Sequence, residues 1–282
     1  VGQDVAANKA FTANSPDGKT WTIKSSGSSS KLFNSVCFSN GRFIAVCQSP
    51  LDSGLGTRIW ISDNNGNSWS SKNSDNAGLN APGGLHAVAG DGNGKLVAVG
   101  GTPYGQGWIT VSTDNGSTWR VVRDAGDPTG YFRPSGKFYG VGYSNGEWYT
   151  CNTSTTYKST DGGTSWTALG SSPGVYGTPG YKIASNGKTV VVASSTGPVW
   201  TSDKGVTWTA GEAATGFGAV SSFDDAMSSV VYADGYFVMV TYNPYLYSGK
   251  YYADIWVSET GRYWKRWRSG EVKYSYAYVY SL

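Results

Sequence analysis

The stretch Ser112-Thr113-Asp114-Asn115-Gly116-Ser117-Thr118-Trp119 recurs along this chain and decides which fold the sequence predicts. Full copies lie at residues 159–166 and 201–208. Looser copies lie at residues 15–21, 62–69 and 257–264, and the first of these is one residue shorter. The tryptophans that end the copies stand at positions 21, 69, 119, 166, 208 and 264. A repeat of about 50 residues is typical of propellers and solenoids.

Each copy combines the residue types of a self-contained turn with an apolar anchor. The glycine permits a positive φ at no steric cost. The Ser, Thr and Asp side chains accept hydrogen bonds from the amides of the turn. The tryptophan then returns into apolar surroundings between neighbouring sheets. We therefore predict a structural role for the acidic or amide positions and for the tryptophans, namely Asp17, Asn64, Asp114, Asp161, Asp203, Glu259, Trp21, Trp69, Trp119, Trp166, Trp208 and Trp264.

The pattern S/T-x-D-x-G-x-x-W resembles the Asp-box repeat, also called the BNR repeat, of sialidase-like β-propellers. Three copies match it fully and three are degenerate, with Asn64 and Glu259 in place of the aspartate in two of the latter. The box is structural in that family, so the resemblance implies a fold and not a chemistry. Such propellers include sialidases, glucanases, sorting receptors, photosystem assembly factors and virion adhesins.

A second repeated unit, two apolar runs around a tight turn, precedes each later box. In its first copy, Phe33–Phe38 and Phe43–Cys47 flank Asn40-Gly41, a strong hairpin signal. Each repeat therefore predicts four antiparallel strands, A to D, with the box between C and D, which is a propeller blade. We expect an all-β, six-bladed propeller of four-stranded blades that forms a single domain over residues 1–282. The C-terminal run Tyr274–Tyr280 is predicted to join the N-terminal blade as its strand A and to close the ring.

The composition is that of a turn-rich, aromatic β protein. Of 282 residues, 40 are Gly, 20 Tyr and 12 Trp, whereas only 15% are charged. The net charge of +3 and the single short basic cluster, Lys265-Arg266-Trp267-Arg268, give no indication of nucleic-acid binding; we expect that cluster on an exposed outer strand. No apolar run is long enough to cross a membrane, and no signal peptide is visible, although the chain begins at Val1.

The three cysteines are predicted to be free thiols within the core. The register of a two-residue turn places Cys37 opposite Ile44 and Cys47 opposite Asn34, so Cys37 and Cys47 are not cross-strand partners. We expect the chain to fold without disulfides. The single histidine, His86, is expected in the core or along the channel, and one His with three scattered Cys gives no metal-site spacing. No cofactor is predicted.

The connections B–C and D–A vary in length and are rich in aromatic residues, whereas the hairpin turns and boxes are short and repetitive. Variable loops on a rigid scaffold are where binding concentrates. Aromatic faces with polar neighbours suit sugar rings, although the same side chains are equally suited to packing the loops together. The predicted ligand-binding residues are Tyr104, Tyr131, Arg133, Tyr176, Tyr242, Tyr245 and Tyr247.

Glycoside hydrolysis needs two carboxyl groups at a set separation, and a sialidase also needs a Tyr–Glu nucleophile pair and an arginine cluster. The Phe/Tyr-Arg-Ile-Pro motif of sialidases is absent, and the similar Tyr131-Phe132-Arg133-Pro134 lies after the third box instead of before the first. Glu147 is expected to begin strand B beside its tight turn and Glu259 occupies a box, so both are expected on the face opposite the variable loops. The remaining candidates for a hydrolase pair are the loop acids Asp52, Asp124, Asp127, Asp224 and Asp225.

The leading hypothesis is therefore non-catalytic recognition: a virion-associated adhesin, from a phage tail or capsid fibre, that binds a cell-surface glycan or host receptor through its variable loops. Its expected location is the virion surface or the extracellular space, with other virion proteins as further candidate partners. One alternative is a glycoside hydrolase that uses the loop carboxylates. The other is a structural or assembly-factor propeller that binds a protein partner.

Overall fold

A computed structural model of the chain describes residues 2–4, 9–14, 22–25, 32–48, 59–72, 84–102, 105–124, 127–132, 134–171, 182–193, 199–213, 226–242, 251–272 and 277–279. The regular structure in these residues is all β, which confirms the predicted class. The chain divides into two compact units, the first comprising Val1–Phe138, Asp161–Ser165 and Tyr276–Leu282, the second Tyr139–Thr160 and Trp166–Ser275. The expected single domain over residues 1–282 stays a prediction.

The first unit contains three four-stranded antiparallel sheets and a small ribbon. One sheet has the order β27-β1-β2-β3, with strands Ala277–Val279 (β27), Gly2–Asp4 (β1), Lys9–Asn14 (β2) and Thr22–Ser25 (β3). The next comprises Leu32–Ser39 (β4), Arg42–Gln48 (β5), Ile59–Ser62 (β6) and Ser70–Lys72 (β7). The third comprises Gly84–Gly90 (β8), Leu96–Gly101 (β9), Gly107–Ser112 (β10) and Arg120–Val121 (β11), and the ribbon Arg123–Asp124 (β12) and Asp127–Tyr131 (β13).

The second unit contains three further sheets. The first comprises Gly140–Ser144 (β14), Glu147–Cys151 (β15), Thr155–Ser159 (β16) and Thr167–Ser171 (β17). The second comprises Lys182–Ser185 (β18), Thr189–Ala193 (β19), Trp200–Asp203 (β20) and Thr207–Ala210 (β21). The last has the order β22-β26-β25-β24-β23, from Glu212–Ala213 (β22), Ala226–Ala233 (β23), Tyr236–Tyr242 (β24), Tyr251–Ser258 (β25) and Tyr263–Val272 (β26).

Among the described residues, five sheets, not six, have the predicted blade form of four antiparallel strands. The sheet of β23–β26 gains a fifth strand because β22 pairs parallel with β26, Glu212 opposite Tyr263. The N-terminal sheet includes the C-terminal strand, since β27 pairs antiparallel with β1, Gly2 opposite Val279. A closed ring of six blades goes beyond these pairings and is treated below as a proposal.

The tight turns between strands A and B follow from their sequence. Asn40 and Gly41 both have positive φ, at 45° and 79°, as a two-residue turn of type I′ requires. The Asn145-Gly146 and Asp234-Gly235 turns share this geometry. Just inside these turns lie directly opposed aromatic pairs, with ring centroids 4.6–4.9 Å apart: Phe38 with Phe43, Tyr143 with Trp148, and Tyr232 with Phe237. Such cross-strand pairs stabilise each hairpin locally.

A β-bulge in β4 corrects one predicted register. Cys37 lies opposite Ile44 as predicted, but Cys47 lies opposite Phe33 instead of Asn34. The pairing shifts because Asn34 is an extra residue between Phe33 and Ser35. All three cysteines are free thiols, and burial raises the pKa of both Cys37 and Cys151 to about 12. These two thiols are therefore protonated and unreactive near neutral pH.

Equivalent bulges in β4 and β8 carry side chains that contact a backbone carbonyl 51 or 52 residues further along the chain. The Asn34 side-chain amide donates a hydrogen bond to the Leu85 carbonyl at 2.8 Å. His86, the extra residue of the β8 bulge, lies with its Nδ1 2.8 Å from the Phe138 carbonyl. Because a carbonyl oxygen only accepts, the His86 Nδ1 carries the proton. His86 thus has a structural contact one repeat after that of Asn34.

The core lies between neighbouring sheets, where strands bury both faces. In the first unit one cluster combines Ile44 and Ile61 with Leu85, Trp108 and Trp119. The box turn of the third sheet approaches the second sheet so closely that a Cβ on Gly116 would lie 3.1 Å from Ile61 Cδ1. In the second unit another cluster joins residues of the last two sheets: Ala184, Val191, Ala193, Val199, Val230, Phe237, Met239, Trp256 and Trp264.

Candidate binding surface

The box at residues 112–119 is closed by its own side chains. Asp114 Oδ1 accepts from the Thr118 amide at 2.8 Å, and Ser112 Oγ accepts from the Gly116 amide at 2.9 Å. Trp119 Nε1 donates to the Gly116 carbonyl at 3.0 Å. Burial works to raise the pKa of Asp114, but the hydrogen bonds from Thr118 outweigh it, so that the pKa is lowered. These contacts leave the aspartate occupied within the turn.

In the degenerate boxes that are described, an amide or hydroxyl oxygen accepts the hydrogen bonds that the aspartate accepts in the full boxes. Asn64 accepts from the Ser68 amide at 2.9 Å and donates to Ser68 Oγ at 2.8 Å. In the last box the amides of Arg262 and Tyr263 donate to Thr260 Oγ1, at 3.2 and 3.4 Å, and Glu259 is exposed. Asp161 accepts from the amides of residues 164 and 165. Asp17 and Trp21 lie outside the described residues.

The carboxylates whose side chains are described all lie in boxes, in hairpin turns or, for Glu147, at the first strand residue after a turn: Asp63, Asp91, Asp114, Glu147, Asp161, Asp203, Asp234 and Glu259. Among the described residues, no three His, Cys, Asp or Glu side chains form a group that could hold a metal ion. In that same part of the chain there is no helix long and apolar enough to span a membrane.

One Tyr–Glu pair does form, in the sheet of β14–β17. Tyr149 Oη donates to Glu147 Oε2 at 2.5 Å, and Lys158 Nζ donates to Glu147 Oε1 at 2.9 Å. The hydrogen bond from Tyr149, opposed by burial and aided by Lys158, lowers the pKa of Glu147. Burial, and then Glu147, raise the pKa of Tyr149. Because Tyr149 is fully buried, its hydroxyl is not accessible to a sugar, and we interpret the pair as a structural contact.

The predicted ligand-binding residues fall where side chains are not described. Tyr104, Arg133, Tyr176, Tyr245 and Tyr247 lie outside the described residues. Tyr131 ends β13 and Tyr242 ends β24, so the structure gives their backbone position alone. Their role in binding therefore stays a prediction.

Lys182 is an unusual residue for its position. It begins β18, opposite Ala193, and the corresponding strand positions in four other sheets hold Ser35, Ala87, Gly140 and Ser229. Burial lowers the pKa of Lys182 to about 8. A large cationic side chain thus stands where small neutral residues are the rule.

Exposed aromatic side chains concentrate in the sheet of β22–β26. Tyr232 and Tyr236 flank its hairpin turn, and Tyr263 and Trp267 lie on its long strand β26. Trp267 is 68% exposed and Tyr263 53% exposed. We call these four residues the aromatic surface. The other described large apolar side chains that are exposed lie in three different sheets or turns: Ile23, Phe38 and Val206.

A bulge turns Trp267 outward. The register steps from Arg268, opposite Ile255, to Arg266, opposite Trp256, so Trp267 is the extra residue. The guanidinium of Arg266 lies 5.9 Å from the ring centre of buried Trp256, and that of Arg262 lies 5.3 Å from the ring of Tyr263. Lys265 is exposed between the two aromatic residues. The predicted exposure of this basic cluster on an outer strand is confirmed for Lys265 and Trp267.

In the sequence Trp267 belongs to a basic cluster, and it is not among the predicted ligand-binding residues. A signal was nevertheless present at the third position after each box tryptophan. The residues there are Lys24, Lys72, Val122, Leu169, Gly211 and Trp267. The last box is thus the only one with an aromatic residue at this position.

No protein-family model matches the chain, and no curated protein sequence matches it. The chain is similar to the structure of YCF48 bound to D1 peptide, with 17% identity over 94% of this chain and 76% of that chain and a TM-score of 0.54. It is also similar to an ancestral GH74 enzyme, with 15% identity, a TM-score of 0.53 and 96% of this chain covered; it spans 38% of that enzyme.

A weaker likeness links the chain to a mutant of Trypanosoma rangeli sialidase that displays trans-sialidase activity. The identity is 14% over 92% of this chain and 51% of that chain, with a TM-score of 0.48, and no conclusion rests on it. At the identities of the YCF48 and GH74 structures a likeness shows the fold alone. The comparisons therefore support the propeller fold that the boxes predict.

Proposed function

We propose that this chain is a non-catalytic recognition module that binds a glycan. The observation that carries the proposal is the aromatic surface, four exposed aromatic side chains in one sheet. Isolated exposed apolar residues are normal on proteins, and the support for an interaction role is that four exposed aromatic residues fall in one sheet, at its hairpin turn and on β26. The described carboxylates support a role without catalysis, because they lie in boxes, in hairpin turns or directly beside such a turn.

A separate part of the proposal concerns the connection between β24 and β25, which follows the end of β24 opposite the turn of Tyr232 and Tyr236. It carries Tyr245 and Tyr247, and Tyr242 ends the strand that precedes it. Aromatic residues contribute large contact areas at low entropic cost, and binding energy concentrates in a few of them. Tyr104, Tyr131, Arg133 and Tyr176 stay candidate ligand-binding residues on the sequence argument alone. The proposed setting is a virion surface, with a cell-surface glycan as the ligand.

The proposed scaffold is a closed ring of six blades. Its support is the pairing of β27 with β1, which makes the first sheet from both ends of the chain. Closure of that kind removes exposed strand edges.

Attachment and glycan cleavage, measured on the same variants, test the function. Tyr245→Ala with Tyr247→Ala should weaken attachment to a glycan array about tenfold while the protein stays folded, since two stacking rings are lost. Asp127→Asn, Asp224→Asn and Asp225→Asn, combined in one variant, should leave attachment unchanged. Attachment that is indifferent to both tyrosines contradicts the proposed loop site. Sugar release that disappears in the aspartate variant would instead establish a hydrolase.

The second candidate is a propeller that binds a protein segment. The observation that favours it is the likeness to YCF48 bound to D1 peptide. Tyr, Trp and Arg, which surround the last box, are also the residues enriched at protein interfaces. An array that combines glycans with peptides separates the two candidates, because a protein-binding module retains peptides and no glycan.

A further inference from the structure

We propose that Trp267 and Lys265 form a subsite for an acidic sugar, that is, a hexose ring with a carboxylate or a sulfate. The inference rests on the proposed function for its class of ligand, a glycan, and adds the charge of that ligand and a defined place. The site lies on β26, on the outer part of its sheet, and does not include the loop tyrosines.

The bulge makes the Trp267 side chain available. Regular alternation along a strand sends successive residues to opposite faces, and an extra residue breaks that alternation and re-aims a side chain. Beneath the bulge, Arg266 lies over Trp256, whose Nε1 donates to Thr241 Oγ1 at 3.2 Å. The strand beside Trp267 is therefore held by contacts with buried side chains, while the indole itself is 68% exposed.

Protection of the sheet edge accounts for part of this arrangement. Within the described part of the chain, β22 pairs with β26 only at Tyr263 and Trp264. Charged side chains and bulges are common devices that keep a free edge from pairing with other chains. Such protection explains Lys265 and the bulge. It does not explain Trp267, because an exposed tryptophan promotes association and works against that purpose.

The chemistry of the site selects the ligand. A sugar ring offers a C–H face to an indole, and the exposed ammonium group of Lys265, two residues before Trp267 on the same strand, favours an anionic substituent. Arg262 adds positive charge beside Tyr263, and its guanidinium lies over that ring. Aromatic and cationic groups together thus favour a uronate or a sulfated sugar over a neutral one. Both acidic sugars present the same combination of an apolar face and an anion.

Titration calorimetry with three probes tests the subsite: an oligogalacturonate, a heparin-derived oligosaccharide and a neutral cello-oligosaccharide. We expect one of the acidic probes to bind and the neutral probe to bind at least tenfold more weakly. Trp267→Ala should lower the affinity about tenfold, while Trp267→Phe should stay within about threefold of the original chain. Lys265→Gln should weaken binding about threefold and reduce its dependence on salt.

Phe38→Ala is the matched control, because Phe38 is also an exposed aromatic, at 57%, but lies in another sheet. Unchanged affinity in Trp267→Ala, equal loss in Phe38→Ala, or equal binding of the neutral probe would each overturn the subsite. Cell attachment that needs Tyr245 and Tyr247 but not Trp267 would also overturn it and leave the proposed function standing. If no probe binds, the acidic-sugar inference fails, and the glycan array decides the function independently.

Discussion

Replacing Trp264 with phenylalanine should destabilise the chain far more than the same replacement of Trp208. Both are box tryptophans of the second unit. Trp264 is fully buried, and its Nε1 donates to the Gly261 carbonyl at 2.8 Å. Trp208 is partly buried, and its buried Nε1 has no hydrogen-bond partner among the described residues. The two substitutions therefore remove similar atoms, but Trp264→Phe removes a hydrogen-bonded donor and Trp208→Phe removes a buried donor that has no partner in the described part of the chain.

The magnitudes follow from these contacts. Trp264→Phe leaves the Gly261 carbonyl without its donor, which costs about 1–3 kcal/mol. The smaller ring adds about 1–2 kcal/mol, a part of the 3–5 kcal/mol that truncation to alanine costs. The expected total is about 2–4 kcal/mol. In Trp208→Phe the loss of packing is offset by removal of a buried donor whose burial costs about 1–3 kcal/mol. The expected change there lies within about 1 kcal/mol of zero.

Equilibrium urea unfolding followed by far-ultraviolet circular dichroism measures the difference. The transition midpoint should fall clearly for Trp264→Phe and stay close to the original for Trp208→Phe, with similar slopes for both. Equal shifts in the two variants would refute the argument that the Nε1 contact distinguishes the boxes. A larger shift for Trp208→Phe would show that its packing outweighs its unpaired donor.

Three further outcomes are expected. Asp114→Ala should cost about 1–3 kcal/mol of unfolding free energy, whereas Asp114→Asn should cost much less, because Asn64 closes its own box; urea midpoints compare them. Lys182→Met should raise the midpoint of urea unfolding near pH 7 above that of the original chain. The difference between the two midpoints should shrink as the pH rises from 8 to about 10.4. The unfolded chain binds the extra proton in that interval, so stability of the original chain increases with pH there. Deleting residues 273–282 removes β27 and should broaden thermal unfolding and lower its midpoint, and an unchanged melting transition would contradict its role in the first sheet.

The repeat predicts most of the fold because each of its parts works through local chemistry. Asn40-Gly41 determines a two-residue turn, and that turn determines the opposition of Cys37 and Ile44. Ser112, Asp114 and Thr118 lie within seven residues of one another, and their hydrogen bonds are formed inside the box. Features of this kind are readable because their partners are neighbours in the sequence.

The features that escaped prediction depend on partners far along the chain. The bulge at Asn34 is accompanied by a contact with Leu85, 51 residues away, which belongs to the next sheet. The fifth strand of the last sheet depends on Glu212 meeting Tyr263. The periodic pattern of a single strand does not reveal which distant residues it pairs with, because a bulge adds one residue without altering the apolar composition. The binding surface shares this origin, because the exposure of Trp267 depends on a bulge.

The contrast between the sheets bears on how binding arises in a repeated scaffold. Standard box residues can have a structural partner within the turn, as Trp119 has the Gly116 carbonyl and Asp114 has the Thr118 amide. Trp208 Nε1 has no such partner among the described residues. A side chain that departs from the repeat can keep a partner in the turn, as Asn64 does with Ser68, or it can serve another purpose or cost stability. Lys182 shows the cost, since burial lowers its pKa to about 8. Trp267 shows the opposite case, because its departure from the repeat leaves an indole in solvent at little cost to the core. Positions where one repeat differs from the others in size or charge, and where the difference is exposed, are therefore the places at which a propeller of this kind should bind its ligand.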